Sequence, residues 1–336
     1  MATRRKRFLT AFLLVLPFAV FLASLHVGTS QISPGLLFKT LLSPLFPSWK
    51  AAIPPSTFDI VFAIRLPRLL LALAVGAALA VSGASLQSLF KNPLVNEYIL
   101  GISSGAAFGA SLSFVVFGSR VPPQISSFAF AVLAVVLVLA ISRRSDSPVV
   151  SVLLTGVIVS AFFSALLSLV EYFASPYSLQ ALFFWLMGNL WKSGWADLAV
   201  SLPLIAAGLA VLLFMRWRFN VLSMSDEEAR SLGVRLRREK LVVLVTTTII
   251  TAAATSVAGI IGWIGLIVPH LVRMIIGVDN RRVLPLSAAL GATVLIVADD
   301  IARSLAAFEV PVGIFTSLIG IPLFIVLLRK AGKVWR

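Results

Sequence analysis

Few side chains in this sequence have the chemistry of a catalytic centre. Cysteine is absent, and the only two histidines, His26 and His270, are 244 residues apart, so no metal-ligand cluster is visible. The glycine-rich loop G-x-x-x-x-G-K-[ST], which would cradle phosphates, is missing, as is the zinc motif H-E-x-x-H. We therefore predict no catalytic residue, no metal site, no cofactor in this chain and no means of hydrolysing ATP by itself.

Three arginines could instead recognise an acidic partner. Arg65 and Arg68 begin one apolar run, three residues apart and so on one helix face, and Arg303 lies near the end of another run. Asp299 could pair with Arg303 at the i, i+4 spacing, whereas Asp300 is expected to point elsewhere on the helix. Two interpretations remain open: the arginines extend to the membrane interface, or they dock an acidic protein.

The longest hydrophilic stretch between apolar runs, residues 223–240, is predicted to contain a short capped helix. Ser225 and Glu228 have the spacing of a capping box, and acidic residues in the first turn favour a helix start. Gly233 is placed to end the helix. The segment is either a solvated loop or a docking helix for a cytoplasmic partner.

Long apolar segments must position these residues. The chain has 336 residues, of which 59% are hydrophobic and 12% charged, whereas a soluble domain has about 45–50% and about 25%. The apolar residues form continuous runs of about 20, rather than the alternation of a β-barrel. We therefore predict an all-α, polytopic membrane protein with helices near residues 8–27, 66–89, 96–117, 124–142, 149–173, 197–215, 241–258, 265–277, 285–306 and 312–329.

The basic residues indicate membrane orientation. They form short clusters between the apolar runs, so the net charge of +15 does not predict a nucleic-acid surface. With both termini in the cytoplasm, 20 of the 28 lysines and arginines lie inside and 7 outside, which is the expected bias.

The basic N-terminus resembles a signal peptide, but the run after it can span a membrane, and we predict a retained helix. The aromatic run 177–195 is predicted to lie on the membrane surface.

Small residues mark two segments as close-packing helices. They recur every four positions in the second and third predicted helices, at Ala72, Gly76, Ala80, Ala84 and Ser88, and at Gly101, Gly105 and Gly109. Such stripes let helix backbones approach closely in lipid, so they predict a compact bundle rather than chemistry.

Motifs along most of the chain resemble one transport family. The first half contains Arg65-Leu-Pro-Arg68, Val75–Gly83, Gln87, Asn92-Pro-Leu94 and Leu100–Gly105. The second half contains Asp226–Val234, Gly262–His270, Asp279–Arg282, Ala298-Asp299 with Arg303, Pro311–Gly313 and Gly320–Pro322. In this order, between about residues 30 and 330, they resemble the FecCD-type permeases. These are the membrane subunits of type II ABC importers for iron-siderophores, haem and vitamin B12.

The resemblance implies the type II importer permease fold in a single domain, 1–336, and a homodimer with its pathway on the two-fold axis. Two cytoplasmic ATPase subunits would bind ATP and Mg²⁺, and a periplasmic or lipid-anchored substrate-binding protein would dock outside. By matching position, Arg65, Arg68 and Arg303 would receive acidic residues of that protein. The cytoplasmic gate would comprise Asn92 and Leu94 and, by a looser match, Val149 and Val150. The ATPase coupling residues would be Ser225, Asp226, Glu227, Glu228, Ala229, Arg230, Ser231, Leu232 and Gly233.

The expected function is a permease subunit in the cell inner membrane that works by alternating access. Its expected substrate is a metal chelate, with an iron-siderophore first, haem or cobalamin next, and an oxyanion such as molybdate as an alternative. An ion-coupled secondary transporter is the rival class, and it would need a buried carboxylate or helices broken at the midplane. Glu171 is the best candidate for that carboxylate, but it should lie near the outer interface.

Overall fold

A computed structural model describes residues 2–28, 30, 32–50, 53–142, 148–191, 193–305 and 309–331. The regular structure in these residues is entirely helical. In chain order the α-helices are α1 Ala2–Ser24, α2 Pro34–Leu42, α3 Pro47–Lys50, α4 Pro55–Asp59, α5 Leu66–Phe90, α6 Ile102–Ser111, α7 Pro123–Ser142, α8 Pro148–Tyr172, α9 Pro176–Leu186, α10 Trp195–Phe214, α11 Arg218–Leu222, α12 Asp226–Ser231, α13 Leu236–Ala258, α14 Ile264–Ile276, α15 Asn280–Ser304 and α16 Val312–Ala331.

Every predicted membrane segment corresponds to a helix. Among the described residues, seven helical stretches are long and apolar enough to cross a membrane: Lys6–Ser24, Pro55–Phe90, Pro123–Ser142, Val150–Tyr172, Trp195–Leu222, Leu236–Ala258 and Asn280–Ser304. The third, eighth and tenth predicted segments are the shorter apolar helices Ile102–Phe117, Ile264–Ile276 and Val312–Leu327. The all-α polytopic prediction is therefore confirmed.

Helix α5 lies at the centre of the bundle because its small residues let neighbouring backbones approach. A Cβ on Gly76 would lie 2.3 Å from the carbonyl oxygen of Gly291 in α15. A Cβ on Gly83 would lie 1.9 Å from the carbonyl oxygen of Gly265 in α14. Glycines of α6 meet α7 in the same way. Any larger side chain would separate these backbones, so the predicted small-residue stripes are packing surfaces.

The chain between α5 and α6 turns back into the bundle. After α5, Lys91 takes a left-handed conformation with φ 52°, and residues 92–101, which we call the re-entrant segment, end in a 3₁₀ turn at Glu97–Leu100. The carbonyl oxygen of Ile99 would lie 2.1 Å from a Cβ on Gly156. Gly156 is eight residues, and so about 12 Å, from the start of α8. The end of the re-entrant segment is therefore surrounded by helices.

Helix α14 begins inside the bundle without a local cap. Trp263, which precedes it, is left-handed at φ 73° and makes no side-chain hydrogen bond to the helix. Gly265 in the first turn lies against Gly83, seven residues, or about 10 Å, before the end of α5. The free N–H groups of the first turn are consequently buried, away from water.

The aromatic segment after α8 forms a short helix rather than a span. Ser175 caps α9 by accepting a hydrogen bond from the Ser178 N–H. The helix has only 11 residues and leaves Tyr177 largely exposed. This agrees with the predicted non-spanning element, and its location on a membrane surface stays a prediction.

Candidate functional site

Arg65, Arg68 and Arg303, which belong to the seven basic residues assigned to the outside, are buried in the protein. The exposed fractions of Arg65, Arg68 and Arg303 are 3%, 4% and 7%. Arg68 donates from Nε and Nη2 to Asp299 at 2.8–3.0 Å and from Nη1 to Glu309 at 2.9 Å. Its guanidinium therefore joins α5 to α15 and to the loop that follows α15.

Backbone carbonyl groups at and after the end of α1 accept hydrogen bonds from the other two arginines. Arg65 donates to the carbonyl oxygen of Leu25 at 2.5 Å and to that of Ser30. Arg303 donates to the carbonyl oxygen of Ser24 at 2.8 Å. The chain segment that leaves α1 is thus held against both α5 and α15.

Asp300 belongs to the same cluster, which corrects the expectation that it points elsewhere. It accepts hydrogen bonds from the Ser24 hydroxyl and from Arg303. Asp299 is fully buried, and the expected contact with Arg303 is present at 3.7 Å. We call this cluster the outer ion network; its members are Arg65, Arg68, Asp299, Asp300, Arg303 and Glu309.

Neither sequence-based interpretation of the arginines describes this geometry. The guanidinium groups do not extend outwards, and they do not face solvent. Removing one partner from a buried ion pair costs roughly 3–5 kcal/mol, so a protein could reach these arginines only after the outer ion network opened. A docking role for Arg65, Arg68 and Arg303 stays a prediction, and their burial argues against it.

The hydrophilic stretch contains the capped helix that its sequence predicts. The Ser225 hydroxyl accepts a hydrogen bond from the Glu228 N–H at 3.2 Å, and the Glu228 carboxylate accepts one from the Ser225 N–H at 2.9 Å. Gly233 follows α12 with φ 77°. Ala229 is buried and holds α12 on the protein, whereas Arg230 and its other neighbours face solvent.

Asp226 links α12 to two other parts of the chain. Its carboxylate lies 3.0 Å from Lys91 Nζ, just before the re-entrant segment, and 2.8 Å from Lys240 Nζ, in α13. The hydrogen bond from Lys240 is the main cause that lowers the pKa of Asp226, and the Lys91 hydrogen bond adds to it against the effect of burial. Displacement of α12 would therefore pull on both neighbours.

A cavity of about 580 Å³ opens beside this linkage. It is bounded by the end of α5, the start of the re-entrant segment, α14 and the start of α15. Asn92 lines it, together with His270 and Arg273. Arg273 donates to the side-chain oxygen of Gln87, and no carboxylate pairs with it among the described residues.

The predicted gate residues are only partly brought together. Asn92 Oδ1 accepts a hydrogen bond from the Leu94 N–H at 2.9 Å, and the Leu94 side chain is more than half exposed. Val150 lies at the start of α8 and is similarly exposed, while the side chain of Val149 is outside the described residues. Their role as a gate stays a prediction.

One buried acidic residue was missed from the sequence. Glu97 is completely buried, and neither carboxyl oxygen has a hydrogen-bond partner among the described residues. A Cβ on Gly265 would lie 1.8 Å from its Oε2. Its signal was a lone acidic residue at the start of the third predicted membrane segment, 96–117. Glu171, the expected candidate, lies in the last turn of α8 and is partly exposed.

Comparison with known proteins identifies the family. The model of the FecCD transport family matches residues 13–330. A protein of Helicobacter pylori (strain ATCC 700392 / 26695), named "Probable iron chelatin transport system permease protein", is 41% identical over 275 residues, which cover 82% of this chain and 84% of that protein. The molybdate import system permease protein MolB of Haemophilus influenzae is 40% identical over 285 residues, which cover 84% of each.

A solved structure shows the same fold. It is described as an inward-facing conformation of a metal-chelate type ABC transporter, and it superposes with a TM-score of 0.86 at 35% identity. The match covers 96% of this chain and 99% of that one. The chain therefore belongs to the FecCD transport family and is a multi-pass membrane permease subunit of an ABC importer.

Proposed function

We propose that two copies of this chain form a homodimeric permease that imports a metal chelate, most simply an iron-siderophore, by alternating access. A separate cytoplasmic ATPase drives it, and a substrate-binding protein delivers the substrate at the outer face. The capped and exposed helix α12 is the observation that carries this proposal. A plain loop could join α11 to α13, and the exposed charged face of α12 is suited to contact with a partner.

The linkage from α12 gives the partner a mechanical route to the pathway. When the ATPase moves α12, Asp226 transmits force to Lys91 and to Lys240 through its two ion pairs. Lys91 directly precedes Asn92 and Leu94, the proposed gate. A contiguous chain of contacts of this kind can couple two sites when its elements have two discrete arrangements.

The features of this chain also indicate which steps we assign to partner proteins. Its sequence has no nucleotide-binding loop, so we assign ATP and Mg²⁺ to two partner ATPase subunits. The bias of basic residues towards one side supports our assignment of both termini to the cytoplasm. The binding protein is periplasmic or lipid-anchored, and the exposed outer loops are a better surface for it than the buried guanidinium groups.

The substrate is proposed from the relatives, and they support two chemistries. One relative is named for an iron chelate and another for molybdate; haem and cobalamin remain further metal-chelate candidates. An oxyanion is the second candidate because Arg273 lines the cytoplasmic cavity without a carboxylate partner among the described residues.

The test is uptake by the reconstituted permease with its ATPase and binding protein. We expect accumulation of a radiolabelled iron-siderophore in vesicles loaded with ATP, and none when the ATPase is omitted. Molybdate uptake without chelate uptake would show that the substrate is an oxyanion rather than a metal chelate. Uptake that needs no ATPase would overturn the proposed function.

The ion-coupled alternative has structural features in its favour. Glu97 is a buried carboxyl group, and α14 starts inside the bundle, which are the two features that such a transporter would need. Family membership favours the ATP-driven mechanism. Collapsing the ion gradients with an ionophore should leave uptake by ATP-loaded vesicles intact; loss of uptake would support the alternative.

A further inference from the structure

Glu97 has a buried carboxyl group, and neither the proposed gate nor the coupling segment explains why an acidic residue lies there. Its exposed fraction is 0%, and its carboxyl oxygens lack hydrogen-bond partners among the described residues. Buried polar groups in native proteins are nearly always paired, so an unpaired carboxyl group requires a specific reason. An apolar side chain would cost less free energy to bury at this position.

The carboxyl group is directed at the uncapped start of α14. The three atoms nearest to a Cβ built on Gly265 all belong to the Glu97 carboxyl group, the closest at 1.8 Å. The backbone N–H groups of Gly265 and of Glu97 itself lie near the carboxyl group, although neither contact reaches regular hydrogen-bond geometry. Trp263 supplies no side-chain cap. An acceptor beside free N–H groups at a helix N-terminus is favourable.

A second bond fastens the same turn to the loop before α14. The hydroxyl group of Tyr98, the next residue, donates to the carbonyl oxygen of Ile261 at 2.5 Å. Adjacent side chains of the re-entrant segment therefore contact residues on both sides of Trp263. At its other end the segment follows Lys91, which is paired with Asp226 of α12.

We propose that Glu97 is a positioning residue that anchors the re-entrant segment to the N-terminus of α14. This deepens the proposed function and rests on it: α12, the gate residues Asn92 and Leu94, and α14 then move as one unit. Gly265 is required because any side chain there would occupy the position of the carboxyl group. The anchor transmits motion of the coupling helix into the middle of the bundle.

The first test separates positioning from stability with a substitution of similar size. Glu97→Leu fills the same space and removes a buried polar group, so the unfolding temperature of the assembled complex should stay unchanged or rise. Substrate transported per ATP hydrolysed should nevertheless fall by about 2- to 30-fold, the range that residues in coupling networks produce. The matched control is Asn96→Ala, since Asn96 is adjacent and its side chain does not cap the 3₁₀ turn.

The second test is a double-mutant cycle on the contact itself. Gly265→Ala should impair assembly or transport, because the new methyl group collides with the Glu97 carboxyl group. Adding Glu97→Ala should restore part of the loss, since it vacates that space. Additive effects of the two substitutions would show that the contact does not exist.

Two results would contradict the proposal that Glu97 anchors the re-entrant segment to α14. One is wild-type transport per ATP in Glu97→Leu, and the other is strict additivity in the cycle. If either occurs while wild-type uptake still requires the ATPase, only the anchor fails and the proposed function stands. Wild-type uptake without the ATPase would remove both.

Discussion

The outer ion network and helix α12 are both rich in charge, yet they use it in opposite ways. The arginines of the outer network are less than 10% exposed, and carboxylates or carbonyl oxygens of the same chain surround them. Most charged side chains of α12 face solvent, and among the described residues only Asp226 of this helix makes ion pairs. The first region holds the chain together, whereas the second leaves charge exposed for the ATPase contact that we propose.

Burial, and not charge pattern, separates these two roles. An ion pair between exposed groups contributes about 0–1 kcal/mol, so α12 can exchange its contacts with little cost. A buried pair that loses one partner costs roughly 3–5 kcal/mol, so the outer network is fixed once folded. A docking surface must exchange its contacts in every transport cycle, which favours the exposed region.

The largest effect should come from breaking the outer ion network. Arg68→Ala leaves Asp299 buried without its main partner and should destabilise the permease by roughly 3–5 kcal/mol. Thermal unfolding in detergent measures this. The control is Lys39→Ala, an exposed basic residue of α2, which should unfold like the wild type.

The competing interpretation gives the opposite result for Arg68. If Arg68 docks the binding protein, Arg68→Ala would unfold normally and bind that protein more weakly. These two outcomes together would contradict the conclusion that the outer ion network stabilises the fold while α12 contacts the partner.

A smaller effect should follow from removing the cap of α12. Ser225→Ala deletes the hydroxyl group that accepts from the Glu228 N–H, and loss of such a cap costs about 1 kcal/mol of helix stability. Because α12 is short and peripheral, amide exchange in residues 226–231 should accelerate about fivefold while the membrane helices keep their protection. Ser223→Ala, outside the capping box, serves as the comparison. Uniform acceleration throughout the protein would mean that α12 is part of the global fold.

Acid should loosen α12 because protonation of Asp226 weakens its ion pairs with Lys91 and Lys240. The folded-state pKa of Asp226 is lowered, so its stabilising contribution is present above its unfolded value and is lost as pH falls through the folded pKa. A spin label on Glu227→Cys should therefore gain mobility below about pH 4. Adding Asp226→Asn should abolish this pH dependence; an identical titration in its presence would exclude Asp226 as the cause.

The smallest change in stability should come from the exposed face of α12. Arg230→Glu lies in solvent and should shift the free energy of unfolding by no more than about 0.5 kcal/mol. Transport should nevertheless fall, since the ATPase would meet the wrong charge. Arg237→Glu, exposed at the start of α13, is the control. Normal transport by Arg230→Glu would remove Arg230 from the proposed contact.

Local patterns predicted much of this structure, and partners distant in sequence explain what they missed. Continuous apolar runs located the ten helices, and the spacing of Ser225 and Glu228 predicted a real capping box. The burial of Arg68 could not be read locally, because Asp299 is 231 positions away. The contact of Asp300 with Ser24 was missed for the same reason, since the two are 276 positions apart, whereas its i, i+3 contact with Arg303 was a local spacing that the prediction overlooked.

Glu97 shows a second limit of sequence patterns. The run near 96–117 suggested one continuous helix, but the left-handed Lys91 and the 3₁₀ turn direct residues 92–101 back among the helices. The periodicity of the sequence does not predict a re-entrant segment, because the course of that segment depends on glycine contacts such as that of Gly156 with Ile99.

Cross-linking from α12 tests most directly whether the exposed region is the partner surface. The chain has no cysteine, so Leu232→Cys, at a position that is 61% exposed, gives a unique attachment site for a photoreactive cross-linker. In the assembled importer we predict a covalent adduct with the ATPase whose yield changes when ATP is added. A transporting complex that never yields this adduct would contradict the assignment of α12 as the coupling helix.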